Sequence, residues 1–332
     1  MAGGRALLIC AGGGLGDSLV ATLVARALRL RFAQVDALTL PGHRALLERV
    51  PDVSRVFIDE GGSAAELAAT LRAERFDAAV VTWATSRTAE IPRLAGIPVR
   101  VGQARRLYSY KFTHRVRVRS ELGDVTSHWS HVLLDFARAI GCDTAETYPA
   151  LRATQCDERE AADLLEGLGL REGFCIVHAT NALAPSRNWP TRGWASLVAE
   201  IRKSYELPVL ISGTAADLPI TDAIAAQSGG ISIAGNASLG AFISLAKRAR
   251  FFAGITTGSM HVAAAVGTPT VGIFPFQTDT PERWAPLGPR TAVVRATFPC
   301  PPGERKETCP DYACVAHLDV PRIMAAIRSL LG

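Results

Sequence analysis

Long apolar runs are missing from this 332-residue sequence. No stretch reaches the roughly 20 apolar residues that cross a bilayer, and the run near the start, Ala6–Ala11, is too short for a signal-peptide core. Aromatic residues are few, at 7%, which disfavours a β-sandwich and suits helices stacked on parallel strands. Low-complexity tracts and short-period repeats are also absent. These absences predict a globular cytoplasmic protein.

Cysteine is sparse, and four of the seven cysteines stand singly, as reduced cytoplasmic thiols do. The other three, Cys300, Cys309 and Cys314, lie close to His317. Three thiols and an imidazole are possible zinc ligands, but their spacings are not those of a standard zinc knuckle. The sequence leaves a structural metal site and free thiols both open.

Charge of neither sign dominates, since 36 Lys and Arg against 31 Asp and Glu leave a net charge of +5. The positive residues concentrate between Arg100 and Arg119, where seven Lys or Arg occur without an acid. Aromatic side chains are interleaved with them. This basic stretch is either a solvated surface or a clamp for an anionic partner. No nucleic-acid-binding motif accompanies it, so we expect no nucleic-acid partner.

Strand-length apolar runs alternate with helical patterns along the chain. Strands are predicted at Ala6–Ala11, Val35–Leu40 and Ala78–Thr82, with a helix over Asp17–Phe32. The pattern restarts with a strand at Phe174–His178. Strands that alternate with helices indicate βαβ units and parallel sheets.

The length of the chain exceeds what one core usually serves, which predicts two domains. We place them at residues 1–155 and 156–332, each a doubly wound α/β domain. Ligand sites are expected at the carboxyl ends of the strands, in the cleft between the domains. The final helix, Val320–Leu331, is expected to pack on either domain.

The segment GGGLGDSL, Gly12–Leu19, follows the first predicted strand and allows three interpretations. A dinucleotide-binding loop needs glycine where Asp17 or Leu19 stands. It also needs an acid at the end of the second strand, which closes with Leu40-Pro41 instead. The NAD-binding interpretation fails on both requirements.

A hydrolase of the GDSL type would use Ser18 as its nucleophile, with a late Asp-x-x-His to activate it. The one histidine after residue 300, His317, follows Cys314 at that spacing, so the partners are not there. In the third interpretation Asp17 lies in the first turn of a helix, as a cap or as a catalytic base. The loop alone does not choose between cap and base.

A second loop, late in the chain, has the character of an anion site. A predicted strand over Phe251–Ile255 runs into Thr256, Thr257 and Gly258, and a short helix carrying His261 follows. Backbone N–H groups and the helix dipole favour a phosphate at such a helix start.

Four motifs resemble glycosyltransferase family nine, the ADP-heptose:lipopolysaccharide heptosyltransferases. They span nearly the whole chain, and the third is the most specific. They are Gly16-Asp17 with Ala27-Leu28-Arg29; His178-Ala179-Thr180 with Trp189-Pro190; Thr257-Gly258-x-x-His261 continuing to Pro269-Thr270; and Pro281-x-Arg283-Trp284-x-Pro286.

The resemblance implies a GT-B fold, in which two facing Rossmann-like domains bind the acceptor on the first and the nucleotide-sugar on the second. It implies inverting transfer of heptose from ADP-heptose to a lipopolysaccharide core acceptor, without a metal or other cofactor. Asp17 would be the general base, and Arg187 lies near the family lysine that neutralises the leaving group. The implied donor-binding residues are Thr180, Asp217, Thr256, Thr257, Gly258 and His261.

Three positions depart from the family pattern. Thr256 stands where an Asp is usual, and Asp217 is shorter than the usual Glu that binds the ribose. Arg187 stands where a lysine is usual, so a planar guanidinium group takes the place of a compact ammonium group. These departures keep two alternatives open: a relative with another nucleotide-sugar or glycan acceptor, and a non-catalytic nucleotide-sugar-binding protein.

For the acceptor, the resemblance suits a phosphorylated, acidic lipopolysaccharide core bound by the basic stretch. The expected acceptor-binding residues are Gly14, Gly16, Arg105, Arg106 and Lys111. The same stretch is a candidate for peripheral contact with the cytoplasmic face of the anionic inner membrane.

Overall fold

The computed structural model describes residues 3–180, 189–300, 309 and 312–332. The chain divides into two compact units, Met1–Arg152 and Ala153–Gly332. Each unit is an α/β structure built on a parallel sheet. Within the described residues, no helix combines the length and the apolar character needed to cross a membrane.

The first unit contains a six-stranded parallel sheet in the order β3-β2-β1-β4-β5-β6. Its strands are β1 (Arg5–Ile9), β2 (Gln34–Thr39), β3 (Val56–Ile58), β4 (Ala78–Val81), β5 (Val99–Gln103) and β6 (His114–Val116). Its helices are α1 (Leu15–Arg29), α2 (Arg44–Leu47), α3 (Ala64–Ala73), α4 (Ser86–Leu94) and α5 (Trp129–Arg138).

The central strand β1 explains why the first apolar run is continuous. Leu8 pairs with Ala37 on β2 and with Val80 on β4, so β1 is hydrogen-bonded on both edges. Helices cover both faces of such a sheet, and a strand buried on both faces carries apolar residues at every position. Residues 6–10 are accordingly fully buried.

The second unit repeats the architecture with the order β12-β11-β10-β7-β8-β9. Its strands are β7 (Cys175–His178), β8 (Val209–Ser212), β9 (Ile231–Ser232), β10 (Phe252–Ile255), β11 (Thr270–Phe274) and β12 (Thr291–Arg295). Its helices are α6 (Gln155–Gly167), α7 (Thr191–Tyr205), α8 (Leu218–Ser228), α9 (Leu239–Arg248), α10 (Gly258–Ala265), α11 (Pro281–Trp284), α12 (Ala313–Ala316) and α13 (Val320–Leu331).

The final helix, α13, packs on β11, β12 and α7 of the second unit. Its buried face, Ile323, Met324 and Ile327, belongs to the same core as Trp194 of α7. These apolar side chains recur at the three- and four-residue spacing of one helix face. The sequence predicted the bounds of α13 but left its packing partner open.

The prediction of doubly wound parallel sheets is confirmed. Because all strands of a sheet run the same way, their carboxyl ends lie along one edge. On the first sheet this edge carries Gly12–Gly14 after β1, His43 after β2 and Trp83 after β4. On the second it carries Thr180 after β7 and Thr256 after β10.

Candidate functional site

Asp17 is held against the loop that follows β1. Its Oδ2 accepts a hydrogen bond of 2.6 Å from the Gly14 N–H, which closes the first turn of α1. Gly13 has a φ of +72°, and a Cβ there would lie 2.5 Å from Asp17 Oδ2. The approach of the carboxylate therefore depends on glycine at position 13. Asp17 does act as a helix cap, and its role as a base stays a prediction.

The surroundings of Asp17 make its carboxylate more basic. Burial raises the pKa of Asp17 above its usual value, while the Gly14 N–H and the charge of His43 act in the opposite direction. A carboxylate with a raised pKa is a better proton acceptor near neutral pH. The geometry suits a base as well as a cap.

His43 was not singled out in the sequence, yet it adjoins Asp17. It closes a 3-10 turn, Pro41–His43, just after β2. Its Nδ1 lies 2.8 Å from the hydroxyl of Ser18, which is fully buried. Burial lowers the pKa of His43, and the charge of Asp17 raises it in part.

The absence of a late histidine suggested that Ser18 has no partner, but the structure supplies the early His43. The hydroxyl of Ser18 also lies 3.4 Å from the carbonyl oxygen of Cys10. A fully buried hydroxyl cannot reach a substrate, so Ser18 anchors the imidazole rather than acting as a nucleophile. The contact between His43 and Ser18 could have been predicted only from the strand order, because the two residues follow strands that are neighbours in the sheet.

Several positive side chains of the basic stretch form ion pairs with acids from other elements. Lys111 is buried, with its Nζ 2.8 Å from Glu90 Oε2 of α4. Arg106 pairs with Glu121 at 2.8 Å, and Arg119 pairs with Asp135 at 2.6 Å. The stretch is therefore not one continuous positive surface.

The predicted acceptor-binding residues consequently lie in different environments: at a cavity, at the surface and in the interior. Arg106 lines a cavity that also touches the Gly12-Gly13 loop. Arg105 reaches the carbonyl oxygen of Glu121 at 3.4 Å and remains at the surface. Gly14 and Gly16 are half-buried beside Asp17. Lys111 lies in the interior, where its amino group also donates to the Ser86 carbonyl.

At the corresponding edge of the second sheet, a histidine links three strand ends. His178, the last residue of β7, places Nδ1 3.0 Å from the hydroxyl of Ser212 at the end of β8. Its Nε2 lies 3.4 Å from the hydroxyl of Ser259 in α10, which follows β10. Burial lowers the pKa of His178 to about 4. The ring is therefore neutral at physiological pH.

Asp217 and Thr180 lie beside this histidine. The Asp217 Oδ2 accepts hydrogen bonds of 2.7 Å from both the N–H and the hydroxyl of Thr214. Burial acts to raise the pKa of Asp217, but these bonds, the Thr180 hydroxyl and His178 hold it below its usual value. Asp217 is an ionised carboxylate at the strand edge.

The start of α10 has the features of an anion site. Thr257 precedes the helix in an extended conformation, and its side chain does not cap the helix. Its hydroxyl instead lies 3.3 Å from the Ile255 carbonyl. Gly258 begins the helix and His261 is buried within it, while Thr256 donates its N–H to Ile273. An uncapped helix start presents N–H groups and a positive dipole end to an anion.

Two sequence predictions concern parts of the chain that the structure describes incompletely or not at all. Arg187 lies outside the described residues. Among those that are described, His317 stacks on Phe298 at 4.4 Å between ring centroids. No group of three metal-binding side chains forms in the same described part of the chain.

Two doubly wound parallel sheets, one in each unit, are the architecture of the GT-B glycosyltransferases. Residues 64–313 match glycosyltransferase family 9 (heptosyltransferase). The chain belongs to this family.

Individual relatives agree with the assignment. Lipopolysaccharide heptosyltransferase 2 of Escherichia coli K12 is 25% identical over 305 residues, 85% of each chain. The structure of E. coli ADP-heptose lps heptosyltransferase II superimposes with a TM-score of 0.80 at 21% identity over 98% of both chains. The E. coli heptosyltransferase WaaC with ADP gives 0.74 at 17% identity over 98% of this chain and 99% of that one. These two structures support the fold.

Proposed function

We propose that this protein is an inverting, metal-independent heptosyltransferase that moves heptose from ADP-heptose to an anionic lipopolysaccharide core acceptor. The observation that carries the proposal is Asp17, a partly buried carboxylate with a raised pKa, fixed by the Gly14 N–H in the loop after β1. Membership of glycosyltransferase family 9 (heptosyltransferase) supports the reaction class. The relative named for lipopolysaccharide and the neighbour solved with ADP support the acceptor and the nucleotide.

Asp17 acts as the general base in this mechanism. Its Oδ2 is fixed by Gly14, which leaves Oδ1 to take the proton of the acceptor hydroxyl. The acceptor oxygen then attacks the anomeric carbon of heptose as the bond to the diphosphate breaks, so the configuration inverts. Base assistance of this kind contributes about 10²–10⁴-fold to the rate.

The departing ADP carries the negative charge that must be stabilised. The N–H groups at the start of α10, beside Thr257 and Gly258, are suited to the diphosphate. Thr180 and His261 complete the phosphate contacts, and Arg187 supplies the positive charge. Asp217 accepts hydrogen bonds from the ribose hydroxyls, and Thr256 takes the place of the family acid.

The acceptor's anionic groups are bound by Arg105 at the rim of the first unit, next to Arg106, which is paired with Glu121. Beside them, Leu107 is 99% exposed and Tyr110 is 68% exposed. Exposed apolar side chains among arginines favour an interface with anionic lipid. We include peripheral contact with the cytoplasmic face of the inner membrane in the proposal.

The test is a donor and acceptor screen by mass spectrometry. ADP-heptose with a lipopolysaccharide core acceptor should give the inverted heptosyl product and ADP, while UDP- and GDP-sugars should give none. Transfer from a UDP-sugar alone would overturn the heptose assignment.

The departure at Thr256 favours a second candidate function, a non-catalytic nucleotide-sugar-binding protein. Calorimetric binding of ADP with no transfer to any acceptor would establish it.

A further inference from the structure

A cavity of about 440 Å³ opens at the carboxyl edge of the first sheet. This volume lies within the ~300–1,000 Å³ typical of small-molecule sites. Its wall includes Gly12 and Gly13 after β1, residues 82–85 after β4, Gln103 at the end of β5, and one side of α5. The cavity belongs wholly to the first unit.

The cavity adjoins Asp17 through two consecutive glycines. A Cβ on Gly12 would lie 3.0 Å from the Cβ of Trp83, and a Cβ on Gly13 would lie 2.5 Å from Asp17 Oδ2. The loop that holds the Asp17 carboxylate therefore also forms part of the cavity wall, although Asp17 itself is not a lining residue.

Two tryptophans form an aromatic wall. Trp83, after β4, stacks on Trp129, at the start of α5, with ring centroids 5.5 Å apart and planes inclined by 24°. Both side chains are half-buried and both line the cavity. Flat, fixed aromatic rings offer a binding surface at low entropic cost. The C–H faces of a pyranose ring fit such a surface.

Two buried polar atoms of the wall are unsatisfied. The Nε1 of Trp83 and the Oε2 of Glu121 have no hydrogen-bond partner among the described residues. Buried polar atoms are normally paired, and each exception needs an explanation. One of these atoms is a donor and the other an acceptor. A sugar hydroxyl, which both donates and accepts, would satisfy either of them.

The charges in the wall cancel. The guanidinium of Arg106 lies 2.8 Å from Glu121 Oε1, and the Gln103 amide donates to the Tyr108 hydroxyl at 2.8 Å. The α5 side of the cavity is apolar, with Val132, Leu133 and Phe136. A phosphate or carboxylate would find no surplus positive charge in the cavity and would lose its hydration. The wall suits an uncharged ligand.

We propose that this cavity binds an uncharged pyranose ring of the acceptor, stacked on Trp83 and hydrogen-bonded to Trp83 Nε1 and Glu121 Oε2. The proposal rests on the proposed transferase function and deepens it. It assigns the sugar ring to the cavity and the anionic groups of the acceptor to the rim, at Arg105. Specificity for the ring then comes from stacking and hydroxyl contacts rather than from charge.

The kinetic test uses Trp83→Leu, which removes the aromatic face and the N–H but keeps an apolar side chain. We expect the KM for the acceptor to rise at least about 10-fold, since stacking and a hydrogen bond are both lost. The KM for ADP-heptose should not change, because the donor is assigned to the second unit. Trp83→Phe, which keeps a face, should lie between wild type and Trp83→Leu. Tyr148→Leu, a half-exposed aromatic position of the same unit away from the cavity, is the matched control.

A binding test without turnover separates the two proposals. Protein labelled with 5-fluorotryptophan gives a ¹⁹F resonance for Trp83, assigned by its loss in Trp83→Phe. We expect this resonance to shift with the methyl glycoside of an uncharged heptose and to stay in place with ADP. It should also stay in place with the methyl glycoside of an ulosonic acid.

The outcomes are distinguishable. A shift with ADP alone, or with the acidic glycoside alone, overturns the neutral-sugar subsite, and so does the lack of any shift. Normal acceptor KM in a folded, active Trp83→Leu enzyme overturns the subsite and leaves the transferase intact. A shift with the uncharged glycoside in a protein that transfers nothing supports the subsite and overturns the transferase. Glu121→Gln, which keeps the shape of the wall, should weaken binding of the glycoside even if Trp83→Leu is poorly folded.

Discussion

The two sheets share one topology and differ in what their carboxyl edges carry. Numbered from its own first strand, each sheet has the order 3-2-1-4-5-6. The edge of the first carries a partly buried carboxylate, an imidazole and two stacked tryptophans. The edge of the second carries hydroxyls, a neutral buried histidine and an uncapped helix start. The same fold thus carries a partly buried carboxylate and an aromatic wall in one unit and an uncapped helix start in the other, because the loops after the strands differ in sequence.

Removing the proposed base, Asp17, should have the largest effect on activity. Asp17→Asn keeps an oxygen that can accept the Gly14 N–H, so α1 should remain capped and the protein folded. Without a carboxylate to take the proton, kcat should fall by about 10²–10⁴-fold. Calorimetric affinity for ADP should stay the same. Asp52→Asn, which alters a carboxylate paired with Arg26 outside the site, should retain the wild-type rate; a fully active Asp17→Asn enzyme would contradict the base assignment.

The neutral histidine of the second edge should make stability depend on pH. The pKa of His178 is lowered from 6.5 to about 4 in the folded protein, so the unfolded chain binds the proton more readily. Stability is then full above pH 6.5 and declines as the pH falls towards 4, by about 3 kcal/mol in total. Urea unfolding at pH 7 and pH 4.5 measures this decline.

In His178→Gln the decline should be smaller, because the amide keeps a polar contact to Ser212 without a proton to bind. His131→Gln, at an exposed position of α5, should behave like wild type. Equal declines in wild type and His178→Gln would show that another group carries the pH dependence.

The elements that sequence patterns predicted are those with local signals. The strand β1 is a continuous apolar run and was predicted close to its observed bounds, whereas α10 was predicted at His261–Val266 and begins three residues earlier, at Gly258. The interior strand β5 was missed, and so were the edge strands β6, β9 and β12. The three edge strands have three, two and five residues, and both β5 and β6, which consists of His114-Arg115-Val116, contain residues of the basic stretch.

The site contacts that were missed depend on strand order. Trp83 meets Trp129, and Ser18 meets His43, only because the strands before them are placed in one sheet. The acids that pair with the basic stretch, such as Glu90, come from helices and turns outside it. Local patterns carry no information on such pairings, whereas Asp17 and Gly258 could be proposed from the sequence because each lies in the first turn of a helix that follows a strand.

The buried lysine of the basic stretch should affect stability rather than acceptor binding. Lys111→Met removes the 2.8 Å contact with Glu90, and Glu90 remains paired with Arg93. We expect the free energy of unfolding to drop by about 1–2 kcal/mol with an unchanged acceptor KM. Arg105→Ala, at the exposed rim, should do the opposite and raise the acceptor KM at unchanged stability. An increase of the acceptor KM in Lys111→Met would show that Lys111 does contribute to acceptor binding.

The smallest effect is expected from replacing His43, the imidazole beside the proposed base. His43→Gln keeps a partner for the Ser18 hydroxyl but removes a charge that lowers the pKa of Asp17. The pKa of Asp17 should therefore rise further in the variant. Because the base must be ionised, the acid limb of the kcat/KM profile should move to higher pH. The rates of variant and wild type should converge in alkaline solution, where Asp17 is ionised in both proteins and His43 of the wild type is neutral. His131→Gln serves as the control, and an acid limb that stays in place or moves to lower pH would show that His43 does not act on the base.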